Sequence, residues 1–145
     1  MKDADLQRLI DERAIEKALT GIARAMDARD WALLATFIAD DAVAELGSGP
    51  LRGRAAIVDL IRSYLDHCGP TQHLLGNVLV EVDGDRAISS AYVRDLHLSA
   101  HNPDLTFHTL GDYTDRWERR SGRWRLVERR KDNRGTVGSL DVFAD

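Results

Sequence analysis

The 145-residue sequence predicts an α+β fold in which helices come first and a sheet of long strands follows. Two observations predict this order. Before Gly69-Pro70, apolar residues recur at spacings of three and four, which is the period of a helix. After this dipeptide the pattern changes to the two-residue period of strands, and short turns such as Asp83-Gly84-Asp85 separate the runs. We therefore expect a layer of helices on one face of a mostly antiparallel sheet.

The first part of the chain predicts three helices and one short strand. An apolar stripe along the first helix indicates that one of its faces is buried, and Gly69-Pro70 ends the third helix. The short strand lies between the second and third helices and leads into a glycine-rich turn. The predicted bounds are 5–29, 31–38 and 54–68 for the helices, 42–46 for the strand and 47–50 for the turn.

The second part predicts four long strands that follow one another through short turns, at residues 71–82, 86–100, 105–119 and 123–132. Residues 135–145 are predicted to be a C-terminal tail of a single domain that spans residues 1–145. If the sheet curves, it encloses a pocket against the helices, and such pockets are mostly apolar with a few polar groups.

Composition narrows the classes of protein. The chain is 43% hydrophobic and 30% charged, which is typical of a globular domain and not of a disordered one. The single cysteine, Cys68, excludes an intrachain disulfide and argues against a structural zinc site. No apolar run approaches the ~20 residues that cross a bilayer. With no targeting segment visible in residues 1–13, we expect a cytoplasmic protein that does not bind membranes.

Charge is distributed unevenly along the chain. Residues 1–115 carry 11 basic and 19 acidic groups, whereas residues 116–134 carry nine basic and three acidic groups. A nucleic-acid-binding arm has this composition, but so does a hairpin whose arginines pair with acidic groups. Trp117 and Trp124 at strand spacing favour the hairpin, so we expect no nucleic-acid partner. These tryptophans, together with Tyr113, also predict an outer sheet face that a second copy covers in a homodimer or homotrimer.

Polar residues within the apolar pattern are the candidates for function. Asp27 follows Met26 at the edge of the stripe on the first helix, and His73 shares a strand face with Leu75 and Leu79. A neutral histidine held by a carboxylate is a good general base near neutral pH. The pattern alone also fits a solvated Asp27 before a turn and a partly buried structural histidine.

Arg129 is the third candidate, on the last predicted strand. It shares one face with Arg125 and Val127, and the alternation does not say which face is the inner one, so a surface ion pair is the alternative. The sequence lacks the Gly-x-Ser-x-Gly elbow that surrounds a nucleophilic serine, so it does not predict a serine triad. We predict no metal and no cofactor, because three further histidines have no ligand-like spacing, namely His97, His101 and His108.

Several segments, in this order and spacing, resemble the SnoaL-like domains of the NTF2-like superfamily. The most specific is the histidine strand Thr71-Gln72-His73-Leu74-Leu75-Gly76-Asn77. It is similar to that of the branch containing scytalone dehydratase and hexachlorocyclohexane dehydrochlorinase. The other matching segments are 22–31, 37–43, 53–57 and the hairpin 113–126, so that the resemblance covers about residues 5–134.

This resemblance implies a cone-shaped NTF2-like barrel that is open at one end and forms dimers or trimers. In the branch named, an aspartate on the first helix and a histidine on this strand form a base dyad, which Asp27 and His73 match. An arginine late on the last strand assists the departing group; Arg129 matches it, with Arg130 as the neighbouring alternative. The dehydratases also carry a tyrosine before the helix aspartate, and residues 20–23 of this chain contain none.

Together, these observations predict a cofactor-independent lyase of the dehydratase type, or an isomerase. It would take a carbon-bound proton from a small hydrophobic, cyclic substrate, with His73 as the base, Asp27 as its partner and Arg129 stabilising negative charge. The alternative is a non-catalytic domain that binds a small ligand or a partner, since a fold does not determine function. Contact between Asp27 and His73 inside the cone would favour the enzyme.

Overall fold

The computed structural model describes residues 2–144 and has the helices and the sheet in the predicted order. The helices are α1 (Asp3–Asp27), α2 (Trp31–Phe37) and α3 (Arg54–Leu65). The strands are β1 (Ile38–Glu45), β2 (Pro50–Arg52), β3 (Thr71–Asp83), β4 (Arg86–Leu98), β5 (Thr106–Arg120) and β6 (Arg123–Gly138), and a 3₁₀ turn (Leu140–Phe143) follows. Among the described residues, no helix combines the length and the apolar character needed to cross a bilayer.

The six strands form one curved sheet in the order β2-β1-β6-β5-β4-β3. All neighbours are antiparallel except β1 and β6, which run parallel. The predicted α+β class and the mostly antiparallel sheet are therefore confirmed. The sheet does not close, because the edge strands β2 and β3 do not pair with each other, so the predicted barrel is an open cone.

The core lies between the helices and the concave face of the sheet. Trp117 of β5 is its largest fully buried side chain, and Ile15, Leu19 and Ile22 of α1 pack around it. The apolar stripe predicted along the whole of α1 is buried only from Asp11 onward. Its first apolar residues are exposed, namely Leu6, Leu9 and Ile10.

The aromatic residues that predicted an outer interface lie inside the chain instead. Trp117, Trp124 and Tyr113 are all buried, so this argument for a homo-oligomer was wrong. The indole of Trp117 donates a hydrogen bond to Ser89 at 2.9 Å, and that of Trp124 donates to Asp11 at 3.2 Å. The helix layer covers more aromatic surface than the sequence pattern suggested.

The last strand differs from its prediction in two ways. A bulge between the pairs Trp117–Leu126 and Arg116–Glu128 shifts the alternation of β6, so that Leu126 and Arg129 are both buried although strict parity puts them on opposite faces. The strand also continues to Gly138, so residues 135–138 are not a tail. Gly138 has a φ of +100°, and a β-carbon there would collide with the carbonyl oxygen of Thr106, which favours glycine where the chain leaves the sheet.

The arginine-rich segment forms the β5–β6 hairpin, as predicted. Within the part of the chain that the structure describes, seven of its basic residues form ion pairs with carboxylates, namely Arg116, Arg119, Arg120, Arg129, Arg130, Lys131 and Arg134. The local excess of positive charge is therefore largely balanced within the fold.

Candidate active site

A cavity of about 320 Å³ lies between α3 and the concave face of the sheet. This volume is at the small end of ligand pockets and suits a molecule with a single ring. Its apolar wall includes Met26, Leu60, Ile61, Tyr64, Leu65, Phe107, Leu140 and Phe143. Its polar groups include His73, Asp95, His97, Thr109, Tyr113, Arg129, Lys131 and Asn133.

Asp27 and His73, both predicted from the sequence, are in direct contact. The Oδ1 atom of Asp27 lies 2.6 Å from Nδ1 of His73, and its Oδ2 atom accepts a hydrogen bond from the His73 backbone N–H at 3.0 Å. The His73 side chain is 5% exposed and lines the cavity, whereas Asp27 lies behind it. Since Nδ1 faces the carboxylate, Nε2 is the ring nitrogen left to meet a ligand.

The carboxylate of Asp27 is kept ionised by its partners. Burial raises its pKa, but hydrogen bonds from the ring and the backbone of His73 and from Thr71 outweigh this effect and hold the pKa below its usual value. Thr71 Oγ1 donates to Asp27 at 2.9 Å. An ionised Asp27 accepts a hydrogen bond from Nδ1–H of His73, and it stabilises the imidazolium that forms when Nε2 takes up a second proton.

Arg29 holds the dyad in place and was not predicted from the sequence. Its guanidinium donates to the carbonyl oxygens of Leu65 and Gly69 at 2.9 and 2.7 Å and to Thr71 Oγ1 at 2.8 Å. It thereby ties the end of α1 to the end of α3 and the start of β3, where Asp27 and His73 lie. Its φ of 57° is unusual for a residue other than glycine.

Arg129, the third predicted residue, faces inward and lines the cavity. Its Nε and Nη2 atoms bind both oxygens of buried Asp115 at 2.8 and 2.9 Å, and its guanidinium stacks on Tyr113 at 3.8 Å. Burial lowers the pKa of Arg129, but Asp115 more than compensates and keeps it raised. Arg130, the alternative, is exposed and pairs with Asp132.

A second buried polar cluster, which the sequence analysis missed, lies beside the dyad. Asp95 of β4 accepts hydrogen bonds from Lys131 Nζ at 2.9 Å and from Thr109 Oγ1. His97 donates from Nδ1 to the Phe107 carbonyl at 3.0 Å when neutral, and burial lowers its pKa, which favours that neutral form. The alternation of β4 carries the signal, because Asp95 and His97 continue the buried run that passes through Val93.

His73, Asp95 and His97 are the described residues whose grouping most resembles a metal site, since potential ligand atoms of all three lie within 4.8 Å of one another. Two histidines and a carboxylate are a known donor set for divalent metals. Here, however, the carboxylate of Asp95 already forms an ion pair with the ammonium group of Lys131. The positive charge that a metal would supply at this carboxylate is therefore supplied by a side chain.

The free energy of unfolding is expected to fall as the pH is lowered below about 4. Asp11, Asp27 and Asp95 all have lowered pKa values in the fold, whereas an unfolded aspartate titrates near about 3.9. The stability that they contribute is present above the unfolded pKa and is lost as the pH falls through the folded values. Urea unfolding between about pH 6 and about pH 3 measures this loss. Asp27→Asn should flatten the dependence, and a constant stability over this range would contradict the assignment.

The chain belongs to the family of SnoaL-like domains, because the family model with that description matches residues 7–130. This match confirms the family that the sequence resembles. A search of curated proteins found no match.

Solved structures share the fold over nearly their whole length. A Novosphingobium aromaticivorans protein named "Putative Scytalone Dehydratase" has a TM-score of 0.83 at 20% identity, over 90% of this chain and 89% of that one. A protein from the same bacterium named "putative aromatic ring hydroxylase" has a TM-score of 0.84 at 24% identity, over 92% of this chain and 96% of that one. A hexachlorocyclohexane dehydrochlorinase has a TM-score of 0.83 at 25% identity, over 93% of each chain. The predicted branch is therefore among the structural neighbours.

Proposed function

We propose that this protein is a cofactor-independent lyase that acts by dehydratase-like elimination on a small hydrophobic, cyclic molecule. The observation that carries the proposal is the 2.6 Å contact between Asp27 and His73, with His73 lining a cavity that has an apolar wall and several polar groups. A partly buried carboxylate that orients a histidine is the arrangement of a general base. The names of the dehydratase and dehydrochlorinase neighbours support the same class of reaction.

The proposed reaction begins when Nε2 of His73 takes a proton from a ring carbon. The electron pair of that C–H bond becomes the new C=C bond, and the C–O bond on the neighbouring carbon breaks with its own pair. The departing hydroxide receives the proton back from the His73 imidazolium and leaves as water. Asp27 remains ionised throughout and stabilises the imidazolium.

Arg129 is placed to assist the departing group. Two of its nitrogens are engaged by Asp115, and Nη1 has no hydrogen-bond partner among the residues that the structure describes. Because the guanidinium lines the cavity, this nitrogen can donate a hydrogen bond to a leaving group as negative charge develops on it. The Asp115 pair and the Tyr113 ring fix its position.

Product formation tests the proposal. The protein is incubated with single-ring compounds that carry a leaving group beside an acidic C–H bond, namely cyclic β-hydroxy ketones and chlorinated cyclohexanes, and the unsaturated products are detected by mass spectrometry. We expect elimination from at least one compound, lost in Asp27→Asn. Isomerisation of a substrate without a leaving group would point to the same base in an isomerase. Binding without turnover of any compound would favour a ligand-binding domain.

We also propose that the protein forms a homodimer or homotrimer through the outer face of its sheet. Leu74, Tyr92 and Leu110 lie on adjacent strands there and remain 62%, 48% and 42% exposed. Sedimentation should show a mass of two or three times 16.2 kDa, and Leu110→Lys should shift this mass toward that of the monomer. Leu33→Lys, at an exposed position of α2, is the matched control, and a wild-type species of 16.2 kDa alone at micromolar concentration would refute the proposal.

A further inference from the structure

Lys131 reaches the cavity from the inner side of β6, and its side chain is only 12% exposed. Its ammonium donates to Asp95 Oδ2 at 2.9 Å and to Thr109 Oγ1 at 3.0 Å. A lysine ammonium has three N–H donors, so these two bonds leave one more. That donor has no partner among the residues that the structure describes.

The position of Lys131 is built into the sheet. Gly111 of β5 lies beside it, and a β-carbon at Gly111 would come within 2.9 Å of Lys131 Cε. The glycine therefore leaves room for the lysine chain to reach Asp95. Burying an ammonium is costly unless it is paired, and Asp95 supplies the pair. This carboxylate is itself held ionised. Burial raises its pKa, but Lys131 and Thr109 outweigh this effect and hold the pKa below its usual value.

Asp95 also connects Lys131 to the dyad. It lies directly opposite His73 in the β3–β4 ladder, and one of its oxygens lies within 4.8 Å of a ring nitrogen of His73. The ammonium and the proposed base therefore both lie close to one carboxylate. A small molecule whose C–H bond meets His73 can place an atom two bonds away near Lys131.

We propose that Lys131 is a catalytic residue that binds a carbonyl oxygen of the substrate, which makes the substrate a one-ring ketone or related enolisable carbonyl compound. This inference rests on the proposed function, and it chooses a carbonyl compound over a haloalkane that lacks oxygen. Such an oxygen lies two bonds from the carbon that His73 deprotonates.

With Lys131 in this role, the elimination passes through an enolate. His73 takes the proton from the α-carbon, the C–H pair forms a C=C bond, and the carbonyl π pair moves onto the oxygen. Lys131 donates its third N–H to that oxygen and stabilises its negative charge. The enolate then re-forms the carbonyl, its C=C pair becomes the new double bond between the α- and β-carbons, and the bond from the β-carbon to the hydroxyl breaks with its pair. The hydroxide takes the proton from His73 and leaves as water.

Binding of 4-nitrophenol tests this role without turnover, because its phenolate resembles a one-ring enolate and absorbs differently from the phenol. In the wild type we expect the bound dye to ionise at a pKa at least one unit below that of the free dye, a tenfold preference for phenolate. Lys131→Met should abolish the preference. Asp95→Asn/Lys131→Met, which leaves no unpaired buried charge, should do the same if the single variant fails to fold. Arg130→Met, exposed on the same strand, is the matched control and should bind like the wild type.

The outcomes separate this inference from the proposed function. If the preference for phenolate survives the removal of Lys131, or if the wild type does not bind 4-nitrophenol, the role of Lys131 is overturned. If His73→Gln abolishes the preference while the Lys131 variants keep it, the oxygen lies on the dyad and the inference is again overturned. If His73→Gln retains both the preference and full turnover, Lys131 is an oxygen-binding residue and the proposed base is wrong.

Discussion

Replacing His73 with glutamine is expected to lower turnover by roughly 10²- to 10⁴-fold, the contribution of a general base. Glutamine keeps a similar volume and a polar end group, but it cannot take a proton from carbon. Asp27→Asn should have an effect in the same direction, because an amide cannot balance the charge of the imidazolium. The measurement is kcat on whichever compound undergoes elimination, with KM recorded separately.

The matched control for this loss is His101→Gln, in the exposed turn between β4 and β5. It should retain the turnover of the wild type. Circular dichroism should show an unchanged fold in all three variants, since the dyad lies at the end of α1 and not in the main core. Full turnover in His73→Gln would exclude this histidine as the base.

The largest effect on stability is expected at the buried ion pair. Asp115→Asn or Arg129→Met should lower the free energy of unfolding by about 3–5 kcal/mol, because each leaves an unpaired charge in the core. The Asp115 side chain is 1% exposed and that of Arg129 is 7% exposed, so water has little access to the lost contacts. Urea unfolding at neutral pH measures the change.

The double variant Asp115→Asn/Arg129→Met should recover a large part of this loss, since it buries no unpaired charge. Arg130→Met removes an exposed pair on the same strand and should cost at most about 1 kcal/mol. If the single variants at positions 115 and 129 were as mild as Arg130→Met, the buried pair would not be formed in solution.

Much of the fold could be predicted because it follows from local periodicity. The change of period at Gly69-Pro70 separates helices from strands, and the Asp83–Asp85 turn lies where β3 and β4 meet. The parallel pairing of β1 with β6 is a long-range contact with no local signal. The open edges of the sheet likewise depend on how far the strands curve, which bulges such as the one between Gly76 and Leu79 affect.

The site was predictable only in part, for a related reason. Asp27 and His73 stand out as polar residues on apolar faces, and the family resemblance matched them to a dyad. Lys131 did not stand out, because a lysine on a strand looks like a surface charge and the alternation did not say which face of the last strand is the inner one. Asp95 had a signal in the parity of β4, but its partners come from β5 and β6. Arg29 acts through backbone carbonyls, which no side-chain pattern reveals.

The central claim is that His73, held by Asp27, takes a proton from carbon. It is tested most directly by incubating the protein in deuterium oxide with cyclohexanone, an enolisable ring without a leaving group, and following its α-protons by NMR. The account predicts that the wild type and His101→Gln accelerate the exchange of these protons, and that His73→Gln and Asp27→Asn do not. Exchange at the uncatalysed rate in the wild type, or equally fast exchange in His73→Gln, would contradict it.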